Sequence, residues 1–309
     1  MTAPALVQSS RETIRKGSKS FAAAAALFDA QTRADAEMLY AWCRRCDDVI
    51  DGQELGHGML APGPAAARQR LEGLIAETKS ALAGEPTDDP DFAAFQQVAQ
   101  RRKIPERYAL ELLAGFAMDV EARRYETAED TLEYCWHVAG VVGVMMALVM
   151  GVEPGDLATL RRAQDLGLAF QLTNIARDVV EDAANGRVYL PAAWLAEAGA
   201  PVDRVADPAC RTQVFAVTRR LLDLAEPYYA SALDGLAHLP LRSAWAIATA
   251  RAVYRQIGVE VARRGPRAWD ERVSVSTSKK AWLALAGGAT ALATRTAHAR
   301  ARPPLWSKI

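Results

Sequence analysis

The sequence predicts an all-α protein, and three observations support this prediction. Apolar residues recur at helical spacing along almost the whole chain, alanine and leucine dominate, and strand-like alternation is hard to find. The chain has 309 residues, which is long enough for one large domain or for two. No internal repeat and no long linker divides it, so we predict a single helical domain over residues 1–309, with its core at about 17–297.

The helical spacing predicts ten helices with approximate boundaries. The second helix ends at the segment DGQELGHGMLAPGP, the third at AGEPTDDP and the seventh at NGRVYLP, while GAPVDRVADP precedes the eighth. These segments are rich in glycine, proline and aspartate, which favour turns over helices. The predicted helices lie at about 9–27, 32–52, 64–83, 89–101, 105–124, 130–150, 154–183, 208–237, 242–263 and 277–297.

Charge and cysteine content exclude several classes of function. Lys and Arg total 37, as do Asp and Glu, so the net charge is zero and nothing suggests a nucleic-acid partner. Four cysteines are too few for a disulfide scaffold. Cys43 and Cys46 form a C-x-x-C motif without a second pair or a nearby histidine. We therefore expect them to be small residues on a packed helix, not a zinc or redox site.

The apolar segments predict where the protein resides. The N-terminus, MTAPALVQSSRETIRKGSKS, lacks the apolar core of a signal peptide. The longest strongly apolar run, Val138 to Val152, is too short to span a bilayer comfortably. We expect a cytoplasmic protein that makes peripheral contact with the inner membrane. The segment AWLALAGGATALA near the C-terminus is expected to pack in the core, with a membrane-surface role as the alternative.

The segment RRCDDVIDGQ places three aspartates within five residues of a predicted helix. Steps of four, three and four residues connect Tyr40, Arg44, Asp47 and Asp51, which puts these side chains on one helix face. Asp48 is turned away from that face by about 100°. Like charges one turn apart repel by roughly 0.2–0.5 kcal/mol, but paired carboxylates are also hard oxygen ligands that suit Mg²⁺.

A second polar stripe lies in the segment FQLTNIARDVVED. Steps of three, four and four residues connect Gln171, Asn174, Asp178 and Asp182, so one helix face carries every oxygen donor. The intervening residues are mostly apolar. Solubility alone explains such a polar edge poorly, because polar groups on a buried helix need partners.

The two stripes together predict a metal site. Either stripe alone is typical of a solvated helix face. An EF-hand does not fit, because its ligands come from a loop with a central glycine. Two complete stripes, one with Arg and Tyr and the other with Gln and Asn, indicate two facing helices that hold several Mg²⁺ ions with a diphosphate between them. We expect the crowded acids to repel one another until metal arrives.

Several motifs resemble the squalene/phytoene synthase family. DDVID, YCWHVAG, NIARDVVED and GRVYLP carry the resemblance, and GSKSF, LYAWCRRCDDVID and QLTNIARDV are especially similar to the bacterial phytoene-forming members. The resemblance runs from about Gly17 to Lys280. It implies the all-α class I isoprenoid synthase fold, a helical bundle around a central hydrophobic cavity.

The resemblance also implies roles for individual residues. The implied catalytic residues are Tyr134, Asp47, Asp51, Asp178, Asp182 and Arg44, and Tyr40 matches an aromatic position near the reacting centre. The implied ligands of Mg²⁺, for which Mn²⁺ can substitute, are Asp47, Asp51, Asn174, Asp178 and Asp182. The implied substrate contacts are Ser18, Lys19, Ser20, Tyr40, Arg44, Gln171, Asn174, Arg177, Tyr254 and, more loosely, Arg272 and Lys280.

The implied reaction joins two molecules of geranylgeranyl diphosphate head to head, through prephytoene diphosphate, to phytoene. This is the first committed step of carotenoid biosynthesis, and the implied partners are the substrate and neighbouring carotenoid enzymes. No NADPH is required, and the sequence has no G-x-G-x-x-G nucleotide motif. We expect the segment EDAANGRVYLP to fold over the metal end as a lid, with Gly186 permitting the turn.

Alternative interpretations remain open at this point. A C30 synthase that uses farnesyl diphosphate has the same motifs, and a non-catalytic helical assembly protein of the same fold should have lost acids from one stripe. Tyr134 alone is typical of a packed core, and Arg177 is able to pair with Glu181. Gly140 and Gly143 would let a prenyl chain lie against their helix, or would allow two helices to pack closely.

Overall fold

A computed structural model of the chain describes residues 3–17, 19–52, 63–296 and 300–309. Every long regular element within these ranges is a helix, as the sequence predicts. The helices are α1 (Ala3–Gly17), α2 (Lys19–Ala25), α3 (Ala30–Asp51), α4 (Pro64–Ala83), α5 (Pro90–Arg102), α6 (Glu106–Val120), α7 (Ala128–Cys135), α8 (Val141–Val149), α9 (Leu157–Ala184), α10 (Ala192–Glu197), α11 (Arg211–Gly235), α12 (Leu241–Arg264) and α13 (Thr277–Ala293).

The structure refines the predicted helices at three places. The predicted helix at 9–27 corresponds to α1 and α2, which cover Ala3–Gly17 and Lys19–Ala25, and residue 18 between them lies outside the described residues. A side chain at Gly17 would collide with the hydroxyl of Tyr40, so this glycine allows α1 to approach α3 closely. The predicted helix at 130–150 is interrupted by a π-helical turn at Trp136–Gly140. Helix α10 was not predicted, since six residues are too few to show helical spacing.

Caps fix the ends of the two helices that carry the acidic stripes. The side chain of Asp29 accepts hydrogen bonds from the backbone amides of Gln31 and Thr32 at the start of α3. Gly52, at φ 61°, ends this helix in the left-handed conformation. At the start of α9, the side chain of Asp156 accepts a hydrogen bond from the amide of Thr159.

Glycines allow α8 and α9 to pack backbone against backbone. A Cβ atom at Gly143 would collide with the carbonyl oxygen of Ala163, and one at Gly167 would collide with the carbonyl oxygen of Ala139. Gly140 likewise faces Gln164 and Leu168 of α9. The suggestion that Gly140 and Gly143 let a prenyl chain lie against their helix is therefore wrong at these positions, because helix α9 occupies that space.

The segment Ala128–Val149, which includes the π-helical turn, is long and apolar enough to cross a membrane by length and composition. It is longer than the apolar run identified from the sequence. Most of its residues are buried inside the fold. The cysteines are free thiols, and burial raises the pKa of the Cys43 thiol to about 12.

Candidate active site

The first acidic stripe lies along α3 and is partly neutralised by an arginine of the same stripe. The guanidinium Nη1 of Arg44 lies 2.6 Å from Asp47 Oδ2 and 3.8 Å from Asp48 Oδ1. Solvent reaches 38% of the Asp47 side chain, but protein surrounds the carboxylate closely enough that lost hydration raises its pKa to about 6. The charge of Arg44 opposes this shift, and the charge of Asp51 adds to it.

The second stripe lies along α9 and also pairs its acids with arginines. Arg177 Nε donates to Asp178 Oδ1 at 2.8 Å, and Arg272 Nη2 donates to Asp178 Oδ2 at 3.3 Å. Arg177 therefore pairs with its neighbour and not with Glu181. Burial raises the pKa of Asp182 to about 7, and the negative charges of Asp178 and Glu181 contribute to this rise.

Arg187 connects the two stripes. The chain turns after α9 at Gly186, whose φ is +79°, and the amide of Arg187 donates to the carbonyl of Asp182 at 2.9 Å. The guanidinium then reaches α3 and donates to both carboxylate oxygens of Asp51, at 2.5 and 3.3 Å. Its charge also opposes the rise in the pKa of Asp47 and Asp182. The two stripes consequently form one charged cluster.

A buried group of tyrosines lies beside this cluster. Asp119 of α6 accepts hydrogen bonds from the hydroxyls of Tyr134, at 3.1 Å, and Tyr189, at 2.9 Å. The rings of Tyr134 and Tyr189 stack at 4.5 Å, and Tyr125 meets Tyr134 edge-on. Burial raises the pKa of Asp119 to about 6, although Arg187 and the two hydroxyls oppose the shift. Tyr134 is 4% exposed, so it is both a packed residue and a partner of a half-buried acid.

Aromatic rings line the other end of the α3 stripe. Tyr40 stacks with Phe21 of α2 at 5.4 Å, and Tyr254 of α12 stacks with Phe170 of α9 at 4.1 Å. The hydroxyl of Tyr40 lies beside the guanidinium of Arg44, but among the described residues neither this hydroxyl nor Arg44 Nε has a partner at good hydrogen-bond geometry. Buried donors of this kind need an acceptor, and an oxygen of a diphosphate would supply one.

The structure brings most of the residues predicted for the site together. Tyr40, Arg44, Asp47 and Asp51 lie on one face of α3, and Asn174 donates to Gln171 at 3.3 Å on α9. Ser18 and the side chains of Lys19 and Ser20 fall outside the described residues, so their predicted phosphate contacts stay predictions. Lys280 lies in the first turn of α13, where its amide donates to the carbonyl of Ser276.

Sequence reasoning missed three residues of this cluster: Asp119, Arg187 and Tyr189. None of them belongs to a stripe with helical spacing, because Asp119 lies alone in the last turn of α6 and the other two lie in the connection after α9. The available signal was the resemblance itself, since GRVYLP contains both Arg187 and Tyr189. The prediction of a lid over this segment concerned its backbone and assigned no role to its side chains.

The donor atoms of the cluster suit a hard cation, but only together with a bound anion. Carboxylates from α3 and α9 are oxygen donors of the kind that Mg²⁺ prefers. Within the described ranges, no three Asp, Glu, His or Cys side chains converge closely enough to hold an ion unaided. Mg²⁺ keeps several waters and takes further oxygens from substrate phosphates, so one or two carboxylates for each ion are sufficient. The residues fit a metal that arrives with a diphosphate.

Comparison with known proteins agrees with this geometry. Residues 14–279 match the family model described as squalene/phytoene synthase. The chain is 54% identical to a 15-cis-phytoene synthase of Pantoea ananas, over 100% of this chain and 99% of that protein. It is 51% identical to a phytoene synthase of Pseudescherichia vulneris, over 100% of this chain and 99% of that protein.

Solved structures show the same fold. A dehydrosqualene synthase crystallised with a ligand has a TM-score of 0.84 and 26% identity, covering 94% of this chain and 98% of that one. The squalene synthase HpnC from Alicyclobacillus acidocaldarius has a TM-score of 0.73 and 24% identity, covering 85% and 95%. These neighbours confirm the predicted isoprenoid synthase fold. By the extent of the family match and the identity to its relatives, the chain belongs to the squalene/phytoene synthase family.

Proposed function

We propose that this protein is a Mg²⁺-dependent prenyltransferase that condenses two molecules of geranylgeranyl diphosphate to phytoene through prephytoene diphosphate. One observation carries the proposal: two carboxylate stripes on α3 and α9 form a single cluster through Arg187, beside the pair of buried Tyr134 and half-buried Asp119. The identity of 54% to a 15-cis-phytoene synthase supports the C20 substrate. No reductant takes part in this reaction.

The basic residues of the cluster would bind the diphosphate. Arg44 and Arg177 lie on the inner faces of α3 and α9, and Arg272 adds a third guanidinium beside Asp178. Guanidinium groups bind phosphate oxygens through paired hydrogen bonds and spread the charge that develops on the leaving group. Gln171 and the hydroxyl of Tyr40 would supply further hydrogen bonds.

The carboxylates would hold the metal ions. Asp47 and Asp51 on α3, with Asn174, Asp178 and Asp182 on α9, are the residues we assign as ligands, and Mn²⁺ would serve as a substitute for Mg²⁺. When bound, the metal neutralises the diphosphate and makes it a better leaving group. Arg44, Arg177 and Arg187 pair with Asp47, Asp178 and Asp51. Repulsion within each stripe persists beside these pairs, since the charge of Asp51 raises the pKa of Asp47 and the charge of Asp178 raises that of Asp182.

Tyr134 and Asp119 would accept the proton that the allylic cation loses. The Tyr134 hydroxyl donates to Asp119, which leaves the lone pairs of the phenol oxygen free to accept a proton from the substrate. The phenol proton then passes to Asp119. Because burial raises the pKa of Asp119 to about 6, this carboxylate is a better proton acceptor than an ordinary aspartate. The aromatic rings of Tyr134 and Tyr189 would stabilise the passing cation.

The reaction also suggests where the protein works. The substrate carries a long apolar chain and the product is entirely apolar, so both partition into lipid. We therefore place the enzyme in the cytoplasm in peripheral contact with the inner membrane, next to the carotenoid enzymes that supply its substrate and consume its product.

A product assay tests this proposal. Purified protein is incubated with Mg²⁺ and either geranylgeranyl or farnesyl diphosphate, without NADPH, and the products are separated by chromatography. We expect phytoene from the C20 substrate. Dehydrosqualene from the C15 substrate alone would assign the protein to C30 synthesis, and no product from either would support a non-catalytic role.

A further inference from the structure

The outer face of α13 is apolar and exposed. Trp282, Leu285 and Leu292 expose 58%, 72% and 59% of their surfaces, more than any other large apolar residue in the described part of the chain. Their spacing places them on one face of the helix. The exposed residues between and beside them are alanines, including Ala289 and Ala293. A soluble helix normally presents charged or polar residues on this side.

Contacts on the inner face of α13 are sufficient to hold this helix in the fold. Trp245 Nε1 of α12 donates to the carbonyl of Ala284 at 2.7 Å. Gly287 lies so close to Thr249 that a side chain there would collide with its hydroxyl. Leu283 and Ala291 are buried on the same side. The outer apolar residues therefore add nothing to this packing, and their exposure needs a separate explanation.

The C-terminal part of the sequence, which contains this helix, is basic. Residues 272–309 contain seven Lys and Arg residues and no Asp or Glu, although the chain as a whole has no net charge. Arg272, Arg302 and Lys308 pair with acids of other helices. Lys279 and Arg295 flank the apolar face at its two ends. Lys279 lies over the ring of Trp282. Arg295 donates to backbone carbonyls, which are neutral and therefore do not cancel the positive charge of its guanidinium.

We propose that the outer face of α13 docks on an anionic lipid bilayer. Trp282, Leu285 and Leu292 enter the headgroup region, where tryptophan is the favoured aromatic residue, and the flanking basic side chains meet lipid phosphates. A protein partner fits less well, because three large side chains on one convex helix offer far less than the roughly 800 Å² per partner of a stable interface.

The start of α13 is connected to the charged cluster by a short segment. Helix α13 begins five residues after Arg272, which donates to Asp178 of the second stripe. If the cluster binds prenyl diphosphates, as proposed above, docking brings the bilayer next to the end of the protein that receives the diphosphate. Only this functional consequence rests on the proposed activity, and the lipid binding does not.

Vesicle flotation tests the proposal. The full chain is mixed with vesicles of phosphatidylcholine, with or without about 30% phosphatidylglycerol, and the floated fraction is measured. The test variant is Trp282→Gln/Leu285→Gln, and the control is Leu157→Gln/Val259→Gln, which changes exposed apolar residues of α9 and α12. We expect the wild type and the control to bind anionic vesicles, and the test variant to bind about tenfold or more weakly.

Two further measurements distinguish a loss of lipid binding from misfolding and from a loss of catalysis. Circular dichroism and thermal melting establish that the test variant folds, and phytoene formation in detergent micelles reports catalysis without a bilayer. Normal activity in micelles with lost flotation supports the docking face, whatever the enzyme's product. Equal flotation of wild type and test variant, or equal binding to neutral and anionic vesicles, overturns the proposal. A dimer without lipid that the test variant abolishes also overturns it, in favour of self-association.

Discussion

The guanidinium of Arg187 donates a hydrogen bond to the carboxylate of Asp51, which lies 136 residues earlier in the sequence, with Nη2 2.5 Å from Oδ1. This pair connects the segment after α9 to the end of α3, so this segment and the first acidic stripe are held together. Arg187 occupies the carboxylate that we assign to a metal ion. If Asp51 holds a metal ion, as proposed, we expect metal binding to loosen this ion pair and so to couple the segment after α9 to the state of the site.

Removing Arg187 should make the fold more dependent on metal. Arg187→Gln leaves Asp51 partly buried without its partner, which should cost about 2 kcal/mol in the absence of metal. Mg²⁺ supplies the missing charge, so the rise in melting temperature on adding Mg²⁺ should be larger for the variant than for the wild type. Thermal melts in EDTA and in Mg²⁺ measure this difference. An equal rise in both proteins would show that Arg187 and the metal do not share Asp51.

The carboxylates of both stripes should be essential for turnover. Asp47→Ala and Asp178→Ala each remove an assigned metal ligand, and we expect activity to fall by about 10³-fold or more while helix content stays intact. Asp223→Ala is the matched control, since this aspartate is 61% exposed and pairs with Arg219 on the surface of α11. Phytoene formation and circular dichroism provide the two measurements. Full activity in either test variant would contradict the metal assignment.

The charge of Asp119 should destabilise the fold at neutral pH. Its pKa in the folded protein, about 6, lies above the ordinary value of 3.8, so the folded state favours the protonated form. The free energy of unfolding should therefore fall as pH rises from about 4 to about 6, and then stay at the lower value. Asp119→Asn removes this effect.

In metal-free buffer, we expect Asp119→Asn to melt higher than the wild type at pH 7.5 and similarly at pH 4. Activity should fall strongly, because an amide cannot take up the proton from Tyr134. Asp130→Asn, at a surface cap of α7, is the control for changing one aspartate of this region. A variant less stable than the wild type at both pH values would mean that hydrogen bonding, and not charge, dominates at this position.

The contact between α8 and α9 should tolerate no side chain at Gly143. Gly143→Ala places a methyl group against the carbonyl of Ala163, and we expect a loss of about 1–3 kcal/mol of stability. Gly73→Ala is the matched control. The same methyl group meets no atom within 4 Å there, so alanine should be neutral or slightly stabilising in α4. Denaturant unfolding measures both, and equal stabilities would show that the two helices separate easily.

Much of the helical architecture could be predicted because helices leave a periodic trace in the sequence. The predicted helix at 32–52 corresponds to α3, 64–83 to α4 and 154–183 to α9, within a few residues. The same periodicity placed Asp47 with Asp51, and Asp178 with Asp182, on single helix faces. Residues outside helices leave no such trace, which explains why Arg187 and Tyr189 were overlooked.

The sequence by itself determined the helical class, the two polar stripes and the family, because each depends on residues that are close together in the chain. Only the tertiary structure decided which arginines pair with the acids of those stripes and which acid accepts the Tyr134 hydrogen bond. It also decided that the glycines at 140 and 143 contact helix α9. The same holds for the exposed face of α13, which has the composition of a core helix. Such features depend on which distant surfaces meet, and a repeat of 3.6 residues carries no information about that.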